Sequence, residues 1–123
     1  VFLKHDGYKK KFSAICSRTI EVNRSGKNIA VLDHINSDKL LKFHIRIHLN
    51  PKIKTSLSLD KRTAILIIDD QGWNFSFQGD TILSLEPSIF VQDNGQVKKT
   101  NQLILYGETL KENTEVLWGF TKN

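Results

Sequence analysis

A single cysteine, Cys16, leaves no partner for an internal disulfide, so packing must hold this fold together. On a strand, such a residue reads as a small buried hydrophobe and not as a nucleophile. No apolar run approaches the roughly 20 residues that a membrane-spanning helix needs, and no membrane partner is expected. A basic-then-apolar leader is missing and methionine is absent altogether, which fits a mature or truncated chain. The familiar catalytic signatures are also missing: there is no G-x-S-x-G, H-E-x-x-H, Walker loop or C-x-x-C. Only four histidines occur, His5, His34, His44 and His48, and the acidic residues show no glycosidase-like pairing.

What is present is ordinary in bulk. Hydrophobic residues make up 39% and charged residues 25% of 123 residues, the composition of one soluble globular domain spanning 1–123. The net charge of +5 suits a line of fixed negative charge, either a nucleic acid or an anionic polysaccharide, and equally a lysine-rich solvated surface. The lysines are scattered apart from Lys9-Lys10-Lys11 and Lys98-Lys99, and no aromatic RNA-binding motif accompanies them. Nucleic acid is therefore not an expected partner.

The text alternates with a period of two almost throughout, and no helix is credible. Ala14, Cys16, Ile20 and Val22 alternate, as do Ile29, Val31 and Ile35, around the turn Asn23 to Asn28. With Ser25-Gly26 as the loop, Arg24 faces Lys27, Ile20 faces Val31, and Val22 faces Ile29. Arg18 then falls opposite Asp33, and two lone charges on apolar faces meet as a structural ion pair. Phe43, Ile45, Ile47 and Leu49 form one face of a strand that Asn50-Pro51 ends, while Lys42, His44, Arg46 and His48 form the other. The two histidines stand about 13 Å apart at roughly 3.3 Å per residue, too far to share one metal ion. This is a cationic stripe facing water or an anionic ligand. No metal site or cofactor is expected in the chain.

A second hairpin pairs 63–68 with 73–77 across Asp69-Asp70-Gln71-Gly72. A symmetric loop sets Ile68 opposite Trp73, Leu66 opposite Phe75, and Ala64 opposite Phe77. Ile65 and Ile67 are apolar on the reverse face, which suggests cover on both sides. Strands follow over 81–85, 89–92, 102–106 and 115–120, with an Asn94-Gly95 hairpin turn and a polar loop from Gly107 to Asn113. The total of roughly ten strands at short spacing predicts an all-β antiparallel sandwich joined largely by hairpins, with strand order open. Near the start, His5-Asp6-Gly7-Tyr8 gathers an imidazole, a carboxylate and a phenol on one tight bend, and reads equally as a plain Asp-Gly turn.

Taken in order, His5-Asp6-Gly7-Tyr8, Cys16-Ser17-Arg18, Val31-Leu32-Asp33, Phe43 to Pro51, Gly72-Trp73 with Phe75, Leu85-Glu86 with Ser88, Thr100 with Gln102, and Val116-Leu117-Trp118 span nearly the whole chain. That ordered set resembles the C-terminal β-sheet region of the heparinase II/III-like polysaccharide lyase family. The resemblance implies an α/α toroid followed by antiparallel β-sandwich layers, and β-elimination of uronic-acid polysaccharides, glycosaminoglycans among them. A base takes the proton at C5 and an acid protonates the leaving oxygen, with stabilisation of an enolate-like charge. The family's acid–base residues, and a zinc seen in some members, belong to stretches that have no counterpart in this chain. Cys16 and Ser17 stand where the family has His and Arg.

The resemblance thus implies a non-catalytic C-terminal domain that supports an N-terminal catalytic domain of the same protein and lines the sugar cleft. Its partner would be an acidic polysaccharide, and its setting periplasmic or secreted. His5, Tyr8, His44, Arg46 and His48 are the candidate substrate-binding residues, and no catalytic residue is assigned. The rival reading, a stand-alone carbohydrate-binding or protein-interaction sandwich, turns on whether Trp73, Trp118 and Tyr106 are exposed.

Overall fold

The computed structural model describes residues 2–5, 14–109 and 112–123. Those residues form ten strands and no helix: β1 (Phe2–His5), β2 (Ala14–Val22), β3 (Asn28–Ser37), β4 (Lys42–His48), β5 (Lys54–Leu57), β6 (Thr63–Ile68), β7 (Gln71–Gln78), β8 (Thr81–Val91), β9 (Val97–Glu108) and β10 (Asn113–Lys122). All pairings are antiparallel. Seven strands make one sheet in the order β1-β2-β3-β10-β7-β6-β5, and three make a second in the order β4-β9-β8. The expected sandwich is present, with unequal layers.

Alternation decides which side chains meet between the layers. Phe75, Leu66, Val116 and Val31 on the large sheet pack with Leu103, Leu105, Leu83 and Ile45 on the small one. Aromatic rings fill the middle: Phe75 lies 5.3 Å from Phe120 and 6.1 Å from Trp118, centroid to centroid. Rings at these separations stabilise each other beyond the area they bury, by about 0.5–1.5 kcal/mol per pair.

The β2–β3 ladder has the expected register, with Arg18 opposite Asp33, Ile20 opposite Val31 and Val22 opposite Ile29. The loop differs. Arg24 and Lys27 do not join the ladder; Asn23 closes the turn, its side-chain oxygen accepting from the Lys27 and Asn28 amides at 3.0 and 3.2 Å. A four-residue loop has the same centre as the two-residue one, so the register is unchanged.

The β6–β7 ladder is shifted by two residues from the symmetric reading. Ala64 faces Phe75, Leu66 faces Trp73 and Ile68 faces Gln71. The loop is Asp69-Asp70 alone, at φ 50 and 62. Two left-handed residues in a two-residue loop make the tight turn whose twist matches a hairpin. A shift of two preserves the faces, so the inward set is still correct. The reverse face is not covered among the described residues: Ile65 and Ile67 are exposed.

Three further departures have local causes. The stretches at 81–85 and 89–92 are one strand, β8, which runs through Pro87; β8 is an edge of its sheet, the position where a missing N–H is tolerated. The short strands β1 and β5 add an edge at either end of the large sheet. Residues 107 and 108 belong to β9 and Asn113 to β10, and Thr109, in the connection between them, is buried. Its hydroxyl accepts from the Leu41 amide at 2.7 Å and donates to the Lys39 carbonyl at 2.9 Å, pinning the entry to β4.

Arg18, Asp33 and Trp118 form a part-buried polar knot. Arg18 Nε and Nη2 donate to the two Asp33 oxygens at 2.6 and 2.9 Å, and Trp118 Nε1 donates to Oδ2 at 2.9 Å. The guanidinium also lies 5.5 Å from the Trp118 ring centroid, within cation–π range. The ion pair expected from the register is thus built, with an indole as its third member. Cys16 is half-buried beside it, and burial, then the Asp33 charge, pushes its thiol pKa up. That thiol is a packing group, not a poised nucleophile.

Asp33→Ala is expected to lower the free energy of unfolding by about 3 kcal/mol, because it strands a partly buried guanidinium and an indole N–H. Urea denaturation followed by tryptophan fluorescence measures this; a loss below about 0.5 kcal/mol would show that the knot is incidental. Gly119→Ala is expected to cost more than Gly107→Ala. A Cβ at 119 meets the Ile29 carbonyl, which is backbone, whereas a Cβ at 107 meets the Phe43 ring, which can move. Melting temperatures of the two variants test the order.

Candidate functional site

The outward face of the small sheet is where the polar side chains converge. β4 presents His44, Arg46 and His48 there, all exposed. Register across the sheet aligns His44 with Tyr106 and Ile82, Arg46 with Ile104 and Ser84, and His48 with Gln102 and Glu86. Three sequence-selected residues therefore share one face, joined by partners from strands far along the chain. His5 ends β1 opposite Cys16, in the other sheet. Asp6, Gly7 and Tyr8 lie outside the described residues.

The face is a network. Arg46 Nη1 donates to Gln102 Oε1 at 3.3 Å, and its Nη2 lies 3.5 Å from His44 Nδ1. The Gln102 side-chain nitrogen donates to the Pro87 carbonyl at 3.1 Å. His48 Nδ1 and Ser88 Oγ are 3.0 Å apart. His44 meets Tyr106 edge-on, at 4.6 Å between centroids and 68° between planes. Ile104 stands at the centre of this outer face, opposite Arg46 and Ser84, and is fully buried. Apolar cover under a polar lattice holds the donors in fixed positions.

Tyr106 donates its hydroxyl to a Glu86 oxygen. That hydrogen bond holds the Glu86 carboxyl below its ordinary value of 4.5, helped by the Ser84 hydroxyl and by the Arg46 and His44 charges. The same bond, with burial and the Glu86 charge behind it, raises the Tyr106 phenol above its ordinary 10.0. A phenol held protonated is a hydrogen-bond donor; general-base work needs the opposite shift.

Beside this network a shallow cleft of about 400 Å³ opens at one end of the sheet. Lys42, His44, Ile82 and Tyr106 line it together with Asp80 and Glu108. Among the described residues, no group of three or more His, Cys, Asp and Glu gathers as metal ligands. His44 and His48 engage different partners, as their spacing requires.

Of the three aromatics in question, Trp118 is a core residue, Trp73 is half-buried against the core, and Tyr106 is half-exposed on the site face. The site residues missed by direct reading are Tyr106, Glu86, Gln102 and Ser88. Their meeting with β4 depends on the β4-β9-β8 order, which short-range alternation does not reveal.

The comparisons with known proteins agree with this architecture. Residues 1–119 match the family model described as heparinase II/III-like, C-terminal. Two solved structures of a heparinase III, the BT4657 gene product, superimpose with TM-scores of 0.79 (the form with methylated lysines) and 0.74, each at 10% identity. They cover 98% of this chain, and the chain spans 18% and 19% of theirs. No curated protein sequence matches.

The paired shifts fix the pH behaviour. The depressed Glu86 pKa contributes stability above the ordinary carboxyl value, and this is lost as pH falls through the lower folded value. The raised Tyr106 pKa contributes stability below 10.0, lost as pH rises through the higher folded value. Glu86→Gln is expected to bring the Tyr106 titration back toward 10.0, read by near-ultraviolet absorbance in a Tyr8→Phe background. An unmoved titration would mean that the pair does not exist in solution.

Proposed function

The chain belongs to the heparinase II/III-like family as its C-terminal domain, and from that membership we propose that it is the non-catalytic sugar-contacting part of a larger polysaccharide lyase. In this reading it buttresses the N-terminal catalytic domain, and the outward face of the small sheet lines the cleft that holds an acidic polysaccharide. The observation that carries the reading is the shared face of His44, Arg46 and His48, with the hydrogen-bond network that fixes them.

Chemistry favours contact over catalysis. Elimination needs a base able to take a carbon-bound proton and an acid able to protonate the departing oxygen. The phenol on this face is locked to Glu86 and held protonated. Arg46 and Lys42 offer positive charge, and the two imidazoles and Gln102 offer polar contacts for sugar hydroxyls and carboxylates. Glu86 supplies one carboxylate within the lattice, so the face orients a chain of sugars instead of gripping a single dense charge. A binding module built on a flat aromatic platform fits less well, since Trp118 is interior and Trp73 packs on the core.

Titration of the chain with alginate and with heparin tests the reading. The expected outcome is weak binding that fades as salt rises, with no unsaturated sugar ends released. Arg46→Ala is expected to weaken binding about twofold to fivefold, the worth of one exposed charge contact of up to about 1 kcal/mol. Eliminative cleavage by the chain alone, or binding indifferent to both salt and Arg46, would sink the proposal.

A further inference from the structure

The small sheet is longer than its own third strand. Pairing between β4 and β9 ends at His48 opposite Gln102, while β8 and β9 continue together from Pro87 opposite Asn101 to Val91 opposite Val97. The first two of these five pairs still touch the end of β4, through the Leu49 amide on the Asn101 carbonyl at 3.1 Å and the Thr100 hydroxyl on the Leu49 carbonyl at 2.7 Å; the last three, Ile89–Lys99 to Val91–Val97, stand past it as a two-stranded ribbon. The ribbon is well formed: the Gly95 amide donates to the Gln92 carbonyl at 2.9 Å, Gln92 donates to the Gln96 carbonyl at 2.8 Å, and Gly95 takes φ 82. Yet three of its side chains on one face are large and apolar. Ile89, Val91 and Val97 are 64%, 61% and 60% exposed. In the alternation, Ile89 and Val91 continue the face that is buried at Leu83, and Val97 that of Leu103 and Leu105. The core-facing stripe runs on beyond the core and covers nothing among the described residues.

A two-stranded ribbon in water is marginal, and apolar side chains clustered on a projection mark a contact surface. The occupant follows from size and family. The chain superimposes over 98% of its length on proteins of which it is less than a fifth, and its family model is a C-terminal one. Lys99, opposite Ile89, shares the stripe's face and adds positive charge beside it, while Lys98, opposite Phe90, lies on the reverse face. We propose that this β8–β9 ribbon is the docking element that seats the domain on the preceding part of its own polypeptide. Its Ile89, Val91 and Val97 face enters an apolar patch, and Lys99 on the same face meets a carboxylate at the rim of that patch. This rests on the reading of the chain as one part of a longer lyase.

Amide hydrogen exchange on the full-length protein and on this chain alone tests it. The β3–β10 ladder should exchange slowly in both, which shows that both are folded. Amides in 88–91 and 97–100 are expected to exchange about tenfold or more slowly in the full-length protein. Ile89→Asp with Val97→Asp in the full-length protein should return them to the rate of the isolated chain while leaving the β3–β10 ladder slow. Equal ribbon exchange in the two proteins overturns the proposal. So does ribbon protection that grows with concentration of the isolated chain, which would make the occupant a second copy. A native protein with the mass of this chain alone would remove the longer-lyase reading itself, a separate failure recognised before any exchange is measured.

Discussion

The Asp33 carboxylate is the constraint around which the large sheet is arranged. It is buried, and a buried carboxylate is tolerable only with its charge paired and its lone pairs used. Its donors come from both sides, Arg18 on β2 and the Trp118 indole on β10. Three strands must therefore sit at a fixed register for one side chain to be satisfied. A slip by one residue would turn Asp33 to solvent and carry Val31 and Ile35 out of the core with it. Once Trp118 is aimed at Asp33, its ring face is set, and Phe75 and Phe120 pack against it. The aromatic centre of the sandwich is downstream of an electrostatic requirement.

The unequal layers explain why the polar site lies where it does. A three-stranded sheet has a narrow inner face, already filled by Leu83, Leu103, Leu105 and Ile45. Its outer face carries no second apolar layer among the described residues, and Ile104 and Gln102 are buried there. Polar chains on this face cross-link all three strands through Arg46, Gln102, Glu86 and Tyr106. Rigidity at this face comes from hydrogen bonds more than from packing. Such a lattice presents donors at set positions, as the proposed contact with sugar hydroxyls would require.

Local pattern carried much of this structure in the sequence, and long-range order carried the rest. The β2–β3 register was legible because two lone charges mark it independently of the loop. The β6–β7 register was not, since Asp69-Asp70 is a weak announcement of two left-handed residues, whereas Asn94-Gly95 is a strong one. Insertion of β10 between β3 and β7 could not be read, because nothing near 113–122 names its neighbours. The site shows the same division. His44, Arg46 and His48 share a face by alternation alone, while Tyr106 meets His44 across 62 residues of chain and only the fold brings them together. Glu86, Ser88, Thr100 and Gln102, noticed as marks of family resemblance, prove to be neighbours in one lattice.

Pro87 lies on the free margin of β8, near where the polar lattice gives way to the projecting ribbon. A proline there cannot donate to any further strand, so the small sheet is poorly suited to growth on that side. The opposite margin, β4, is studded with Lys42 and Arg46. Both open borders of the small sheet thus discourage strand addition by a neighbouring molecule, while the ribbon's apolar side chains stay available for contact through their faces. A domain that must expose an oily finger can in this way remain a poor template for aggregation.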